Sequence, residues 1–306
     1  MLSNPSEQTL WGVLPVIPTL FTSENKIDVA AQCKVVSFAI ENGAAAVVCP
    51  AVASEYNFLS LEERRILVEL VTEEVNGRVP IIGGASANTV DEVVAAAEDC
   101  LEFGISHLMI MAPGSLGKDL ESHQGFFGGV CRKLPSGATI ILQNAPDPVG
   151  AGLDIEAMMD LVKSNPMIRY VKEETLPSGP AITALHCSGI EHLCGVIGGG
   201  GSRYMIDELN RGAIAAMPAL ELIDLHVAIY NAHSQGDHKK ARGLYRDSLP
   251  LLVTQLIYRM RLTKYVLNKR GVANDVVVRA PLPEMDEFTT RHIDVLLQDL
   301  KELDLG

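Results

Sequence analysis

The sequence predicts an α/β fold, a (β/α)8 barrel with an appended C-terminal helical segment, and three observations carry that expectation. Short apolar runs rich in Val and Ile alternate eight times with longer stretches of helical period. The connections between them are short, which suits parallel strands whose faces are covered by helices. No G-x-G-x-x-G follows the first apolar run, which weakens the case for an open dinucleotide-binding sheet.

The expected strands are Val13–Ile17, Ala45–Cys49, Val79–Ile82, His107–Met111, Thr139–Gln143, Ile168–Lys172, Cys194–Ile197 and Ala213–Met217. Helices are expected to begin near Asp28, Leu61, Val90, Glu121, Asp154, Gly179 and Arg203. Ser60 with Glu63, and Thr89 with Glu92, have the spacing of capping boxes, which satisfy free amides at a helix start. Gly77 and Gly104 stand where two of the helices should end, since glycine accepts the left-handed conformation there. After Leu220 the pattern is helical only, through Tyr230, Leu244–Leu267 and Thr289–Leu303. The expected organisation is a leader at 1–12, a TIM barrel at 13–234, and a helical segment at 235–306 packed on the barrel.

Composition narrows the function. Hydrophobic residues make up 47% of the 306 and charged residues 21%, enough for a large core and against disorder. A net charge of -13 with no run of Lys or Arg argues against nucleic acid or an anionic membrane surface as the main partner. No apolar run reaches spanning length and no targeting segment is evident, so a soluble cytoplasmic protein is expected. The six cysteines form no C-x-x-C pair and are read as small buried side chains. None of the eight histidines has metal-ligand spacing, so no metal is expected.

In a barrel of this kind the chemistry belongs at the C-terminal strand ends. Those ends carry Pro18-Thr19, Pro50 to Glu55, Pro113-Gly114-Ser115, Gln143-Asn144-Ala145-Pro146, Lys172-Glu173-Glu174-Thr175 and Gly198 to Ser202. Lys172 is the informative residue. Strand period two sets Tyr170, Lys172 and Glu174 on one side, so an inward Tyr170 brings Lys172 into the mouth with Glu174 above it. Partial desolvation favours a neutral, nucleophilic amine, which can form an iminium with a ketone. Glu174 could then move the proton. The plain alternative is a salt bridge from Lys172 to Glu173 or Glu174 with no further role.

The glycines from Gly198 to Gly201, Gly199 and Gly200 among them, admit two readings: anion binding by backbone amides at a helix start, or a tight turn where bulk would close the pocket. Thr19, Ala53 and Ser54 are further candidates for substrate contact. Glu55 is read as a buried buttress accepting from loop amides.

These residues resemble those of the dihydrodipicolinate synthase/N-acetylneuraminate lyase superfamily along nearly the whole chain. The matching segments are P-T-L-F at Pro18, S-E-x-x-x-L-S-x-E-E-R from Ser54, and G-R-V-P-I-I-G-G from Gly77. Q-N-A-P at Gln143, V-K-E at Val171, G-x-x-A-A-M-P-A near Gly212 and R-x-P-L-P from Arg279 complete them. The resemblance implies a (β/α)8 barrel whose imine-forming lysine is Lys172, a covalent imine in place of any cofactor, a small 2-keto acid as partner, and a homotetramer.

Several positions depart from the synthase. Ala51-Val52-Ala53-Ser54-Glu55 stands where the synthase has Gly-Thr-Thr-Gly-Glu. Gln143 replaces a tyrosine, Gly114 and Ser115 occupy the places of the strand-four tyrosines, and Pro148 that of the arginine for the second substrate. A hydroxyl relay cannot be built from these, so synthase activity is not expected.

Ser54-Glu55, Gln143 and Glu174 look more like L-2-keto-3-deoxyarabonate dehydratase. That likeness implies imine formation at C2, proton loss from C3 and elimination of the C4 hydroxyl. Glu174 would be the acid–base residue, Gln143 would orient a hydroxyl or the imine, and amides around Ala53 and Ser54 would hold the carboxylate. Two rivals remain: a pyruvate-dependent aldolase on the same scaffold, and a non-catalytic barrel that binds a keto acid or a partner protein.

Overall fold

Several helices of this chain start where a side chain can accept from the first free amides. Ser60 Oγ accepts from Glu63 N–H at 3.1 Å while Glu63 accepts from Ser60 N–H at 2.9 Å, opening α2 (Leu61–Val75). Thr89 and Glu92 repeat the arrangement at α3 (Val90–Glu102). Asp28, Asp119, Asp154, Asp237 and Asp286 cap α1 (Val29–Glu41), α4 (Leu120–Lys133), α5 (Ile155–Ser164), α9 (His238–Tyr258) and α11 (Glu287–Lys301) in the simpler one-sided way. The remaining helices are α6 (Ser178–His186), α7 (Met205–Asn210), α8 (Ile223–Ser234) and α10 (Met260–Lys269).

The structure, a computed structural model, describes residues 9–305; residues 1–8 of the expected leader lie outside the described residues. The strands are β1 (Gly12–Val13), β2 (Val47–Val48), β3 (Ile81–Gly84), β4 (His107–Met111), β5 (Thr139–Asn144), β6 (Ile168–Glu173), β7 (Gly195–Gly198) and β8 (Ala215–Ala216). They lie in one sheet in the order β1-β8-β7-β6-β5-β4-β3-β2. The fold is the (β/α)8 barrel class, with helices following the eighth unit.

Contacts divide the chain into two compact units. The first comprises residues 80–200 and 207–217 together with residues 9–11. Its strands pair in parallel from β3 to β8, with Gln143 beside Lys172 across β5 and β6, and Lys172 beside Ile197 across β6 and β7. Leu108, Ile110, Ile140, Leu142, Ile168 and Val171 are buried along these strands. The second comprises residues 12–79, 201–206 and 218 onward. Within it Val16 makes parallel bridges to both Val48 and Ala219.

Three strands are shorter than expected. β1 ends at Val13 because Pro15 has no N–H to give to a ladder, although its carbonyl still accepts from Val48 N–H at 3.0 Å. β2 and β8 shrink to two residues each. The stretch read as helical from Leu244 to Leu267 is two helices. Arg259 breaks it with φ 46° and ψ -124°, a conformation that a periodic pattern does not reveal. Pro250 lies inside α9 without ending it. The cysteines are free thiols, and only Cys49 and Cys100 are buried, while Cys187 is exposed. Among the described residues, no helix is long and apolar enough to cross a membrane.

Candidate active site

Strand β6 delivers its chemistry by simple alternation. Tyr170 and Lys172 point one way, Tyr170 receiving the Leu10 amide at 3.3 Å and standing edge-on to His107. Lys172 is 6% exposed, a burial that a lysine tolerates only with a partner. That partner is Glu174, whose Oε1 lies 2.6 Å from Lys172 Nζ. The same oxygen accepts from Gln143 Nε2 at 2.8 Å, across the β5–β6 pairing that sets Gln143 beside Lys172. One carboxylate oxygen is thus held by an ammonium and a primary amide.

Glu173, on the opposite side of the strand, does different work. Its Oε2 accepts from Asn144 Nδ2 at 3.0 Å, and its Oε1 from the Thr175 amide at 2.6 Å and from the Thr175 hydroxyl. Asn144 in turn exchanges two hydrogen bonds with the Leu153 backbone, at 2.9 and 3.0 Å. This network fastens the segment after β5 to the end of β6. Burial pushes the Glu173 carboxyl up, against the pull of these donors.

The glycines after β7 make room for carboxylates. A methyl group built on Gly199 would come within 2.3 Å of Glu174 Cγ, and one on Gly198 within 2.2 Å of Glu208 Oε2. The Gly199 amide donates to the Glu173 carbonyl at 3.1 Å. Gly200 and Gly201 turn the chain with φ of 56° and 65°. Glu208 is a residue that the sequence reading missed. It is buried on α7, with Oε1 accepting from Ser178 Oγ at 2.9 Å. Its signal was local: Met205 and Leu209 mark the inner face of α7, and Glu208 lies on that same face.

Thr19, Ala53 and Ser54 belong to the second unit. Thr19 Oγ1 donates to the Ser54 carbonyl at 2.6 Å, and Ser54 Oγ donates to the Ile17 carbonyl at 2.6 Å while accepting from Ala51 N–H at 3.0 Å. Both side chains are fully buried, and the Ser54 amide donates to the Ala51 carbonyl at 2.9 Å, closing a tight turn. Glu55, with φ 60°, accepts from the Arg279 and Ala280 amides at 2.8 and 2.7 Å and pairs with buried Lys264 at 2.5 Å. Burial lowers Lys264 to about 8. Among the described residues, no group of three or more His, Cys, Asp or Glu is arranged to hold a metal ion.

The profile of the dihydrodipicolinate synthetase family matches residues 9–300. The chain belongs to this family. Its relatives within the family carry different activities. A 4-hydroxy-tetrahydrodipicolinate synthase of Methanocaldococcus jannaschii is 26% identical over 297 residues, covering 94% of this chain and 98% of the relative. An L-2-keto-3-deoxyarabonate dehydratase of Azospirillum brasilense is 26% identical over 296 residues, covering 95% of each chain. A protein of Escherichia coli named "Probable 2-dehydro-3-deoxy-D-pentonate aldolase YjhH" is 24% identical, covering 94% of this chain and 96% of the relative. Among solved structures, the dihydrodipicolinate synthase of Rhodopseudomonas palustris superimposes with a TM-score of 0.88 at 22% identity, covering 97% of this chain and 98% of that one. The synthase, dehydratase and aldolase of the family are lyases, and this chain is a lyase of that family.

Proposed function

We propose that the protein is a Schiff-base lyase of a 2-keto-3-deoxy sugar acid, and that it acts as a dehydratase similar to L-2-keto-3-deoxyarabonate dehydratase. The observation that carries this reading is Glu174 Oε1, held between Lys172 Nζ at 2.6 Å and Gln143 Nε2 at 2.8 Å. Where the synthase of this family uses tyrosines and threonines, this chain offers a carboxylate beside the nucleophile.

The steps balance without a cofactor. Lys172 passes a proton to Glu174, and the neutral amine attacks the C2 carbonyl; Glu174 returns that proton to the carbinolamine hydroxyl, which leaves as water and gives the iminium with Glu174 again ionised. Glu174 takes a proton from C3, whose electron pair forms the C2–C3 double bond of an enamine. Glu174 then returns the proton to the C4 hydroxyl, which departs as water while the pair moves to C3–C4 and the iminium reforms. Tautomerisation and hydrolysis release 2,5-dioxopentanoate and free Lys172. In this reading Gln143 orients the Glu174 carboxylate. Gly199 and Gly200 border the substrate as room for carboxylates. A homo-oligomer is proposed on the family likeness alone.

The likeness to YjhH favours one rival on the same scaffold, an aldolase that breaks C3–C4 after the same imine. A screen of 2-keto-3-deoxy sugar acids with product analysis separates the two. A dioxo acid retaining all the substrate carbons is expected; pyruvate plus an aldehyde would overturn the dehydratase reading.

A further inference from the structure

Three glutamates crowd the end of β6 and β7 around one lysine, and the reaction above uses only one of them. Glu173 is spent on the Asn144 and Thr175 network. Glu208 is 1% exposed, and its Oε2 has no hydrogen-bond partner among the described residues. That oxygen occupies the space a side chain on Gly198 would need, next to the glycine that accommodates Glu174. The charged groups facing Glu208 are mostly of its own sign: Glu173 and Glu174 from β6, and Asp207 from its own helix, itself paired with Arg211. From α6 comes only the Ser178 hydroxyl, and β7 contributes glycine. An ionised carboxylate so placed would be both desolvated and repelled.

We propose that Glu208 is a positioning residue of this cluster: it carries the proton that the crowd of carboxyls requires, and so leaves the negative charge on Glu174 beside Lys172. The proposal rests on Glu174 as the acid–base group of the proposed function. If Glu208 were the ionised member, its charge would face that of Glu174 with no counter-ion of its own, and the proton would pass to Glu174, which could then not act as a base. Burial, with the neighbouring carboxylates, raises Glu208 to about 7. The protonated form therefore fills the range below neutrality and is lost above it.

Infrared spectroscopy of the wild-type protein across pH reads Glu208 directly. A protonated-carboxyl band is expected at pH about 6, with a component that vanishes as the pH rises through about 7 and is missing when the spectra of Glu208→Gln are compared over the same range. In turnover, Glu208→Gln mimics the neutral acid, so its kcat profile should lack the decline that wild type shows above neutrality. If Glu208→Gln does not fold, Ser178→Ala serves, because losing the one hydrogen bond to Glu208 should move the midpoint of the band upward. The absence of the band in wild type, a kcat profile that Glu208→Gln leaves unchanged, or a midpoint that Ser178→Ala leaves in place would each overturn the proposal. Borohydride trapping on Lys172 reads the imine separately, so failure of the lyase reading and failure of this one give different results.

Discussion

Glu174 receives two donors on one oxygen, and that arrangement fixes where a proton can go. Lys172 Nζ at 2.6 Å is close enough for direct transfer, and Gln143 restrains the carboxylate without competing for the proton. A plain salt bridge would have the same ion pair. In the proposed mechanism, the amide at 2.8 Å and the room left at Gly199 orient this pair for acid–base work. Glu174→Gln keeps the shape and removes the base. It is expected to form the imine with a keto acid while the elimination step slows by roughly 100-fold or more. Rapid-quench product analysis beside borohydride trapping measures the two separately, and normal turnover in Glu174→Gln would show the assignment to be wrong. Strand alternation set Lys172 and Glu174 on one side, whereas Gln143 entered through the family resemblance and its place beside Lys172 is set by the β5–β6 register. The burial of Glu208 had a local sign in the helix face it shares with Met205 and Leu209, but its nearness to Glu174 did not, since that depends on how a six-residue helix folds back onto β7.

At the scale of elements, β5 and β6 form the rigid part of the site. Asn144 and Glu173 sit opposite each other in the register and tie the segment through Leu153 to the strand ends. Asn144→Ala leaves a buried Glu173 oxygen and the Leu153 amide without that partner, a loss of about 2–4 kcal/mol by the usual toll for unsatisfied buried groups. Urea denaturation checks this; a change below about 0.5 kcal/mol would mean that the network is not what holds the segment. The helix starts and the strands β4 to β6 were readable from caps and apolar runs. The truncation of β1 was readable too, in Pro15, but only once the ladder partner was known. The break at Arg259 had no local sign, since neither glycine nor proline occupies it.

At the scale of the whole molecule, burial sets opposed responses to pH. His107 and His226 are buried, neither ring nitrogen having a hydrogen-bond partner among the described residues, and burial lowers both to about 4. The unfolded chain binds their protons first, so each histidine removes stability as the pH falls from about 6.5 toward 4, at about 1.4 kcal/mol per pH unit. Glu208 acts in the other direction: its stabilising share is present below about 4.5 and is lost as the pH rises to about 7. A single pH–stability curve mixes the two, so the comparison is wild type against His226→Gln. The wild type should lose stability relative to the variant across that acid window, and parallel curves would exclude the buried neutral histidine. The charge excess and the apolar content were plain in the sequence, whereas which histidines are buried came only from the assembled fold. The central claim remains the covalent one, and mass spectrometry of the intact chain tests it most directly. After borohydride reduction with pyruvate or a 2-keto-3-deoxy acid, the wild type should carry one adduct, on Lys172, and Lys172→Ala should carry none and lose turnover. An unmodified wild type, or a Lys172→Ala variant that keeps full turnover, would contradict it.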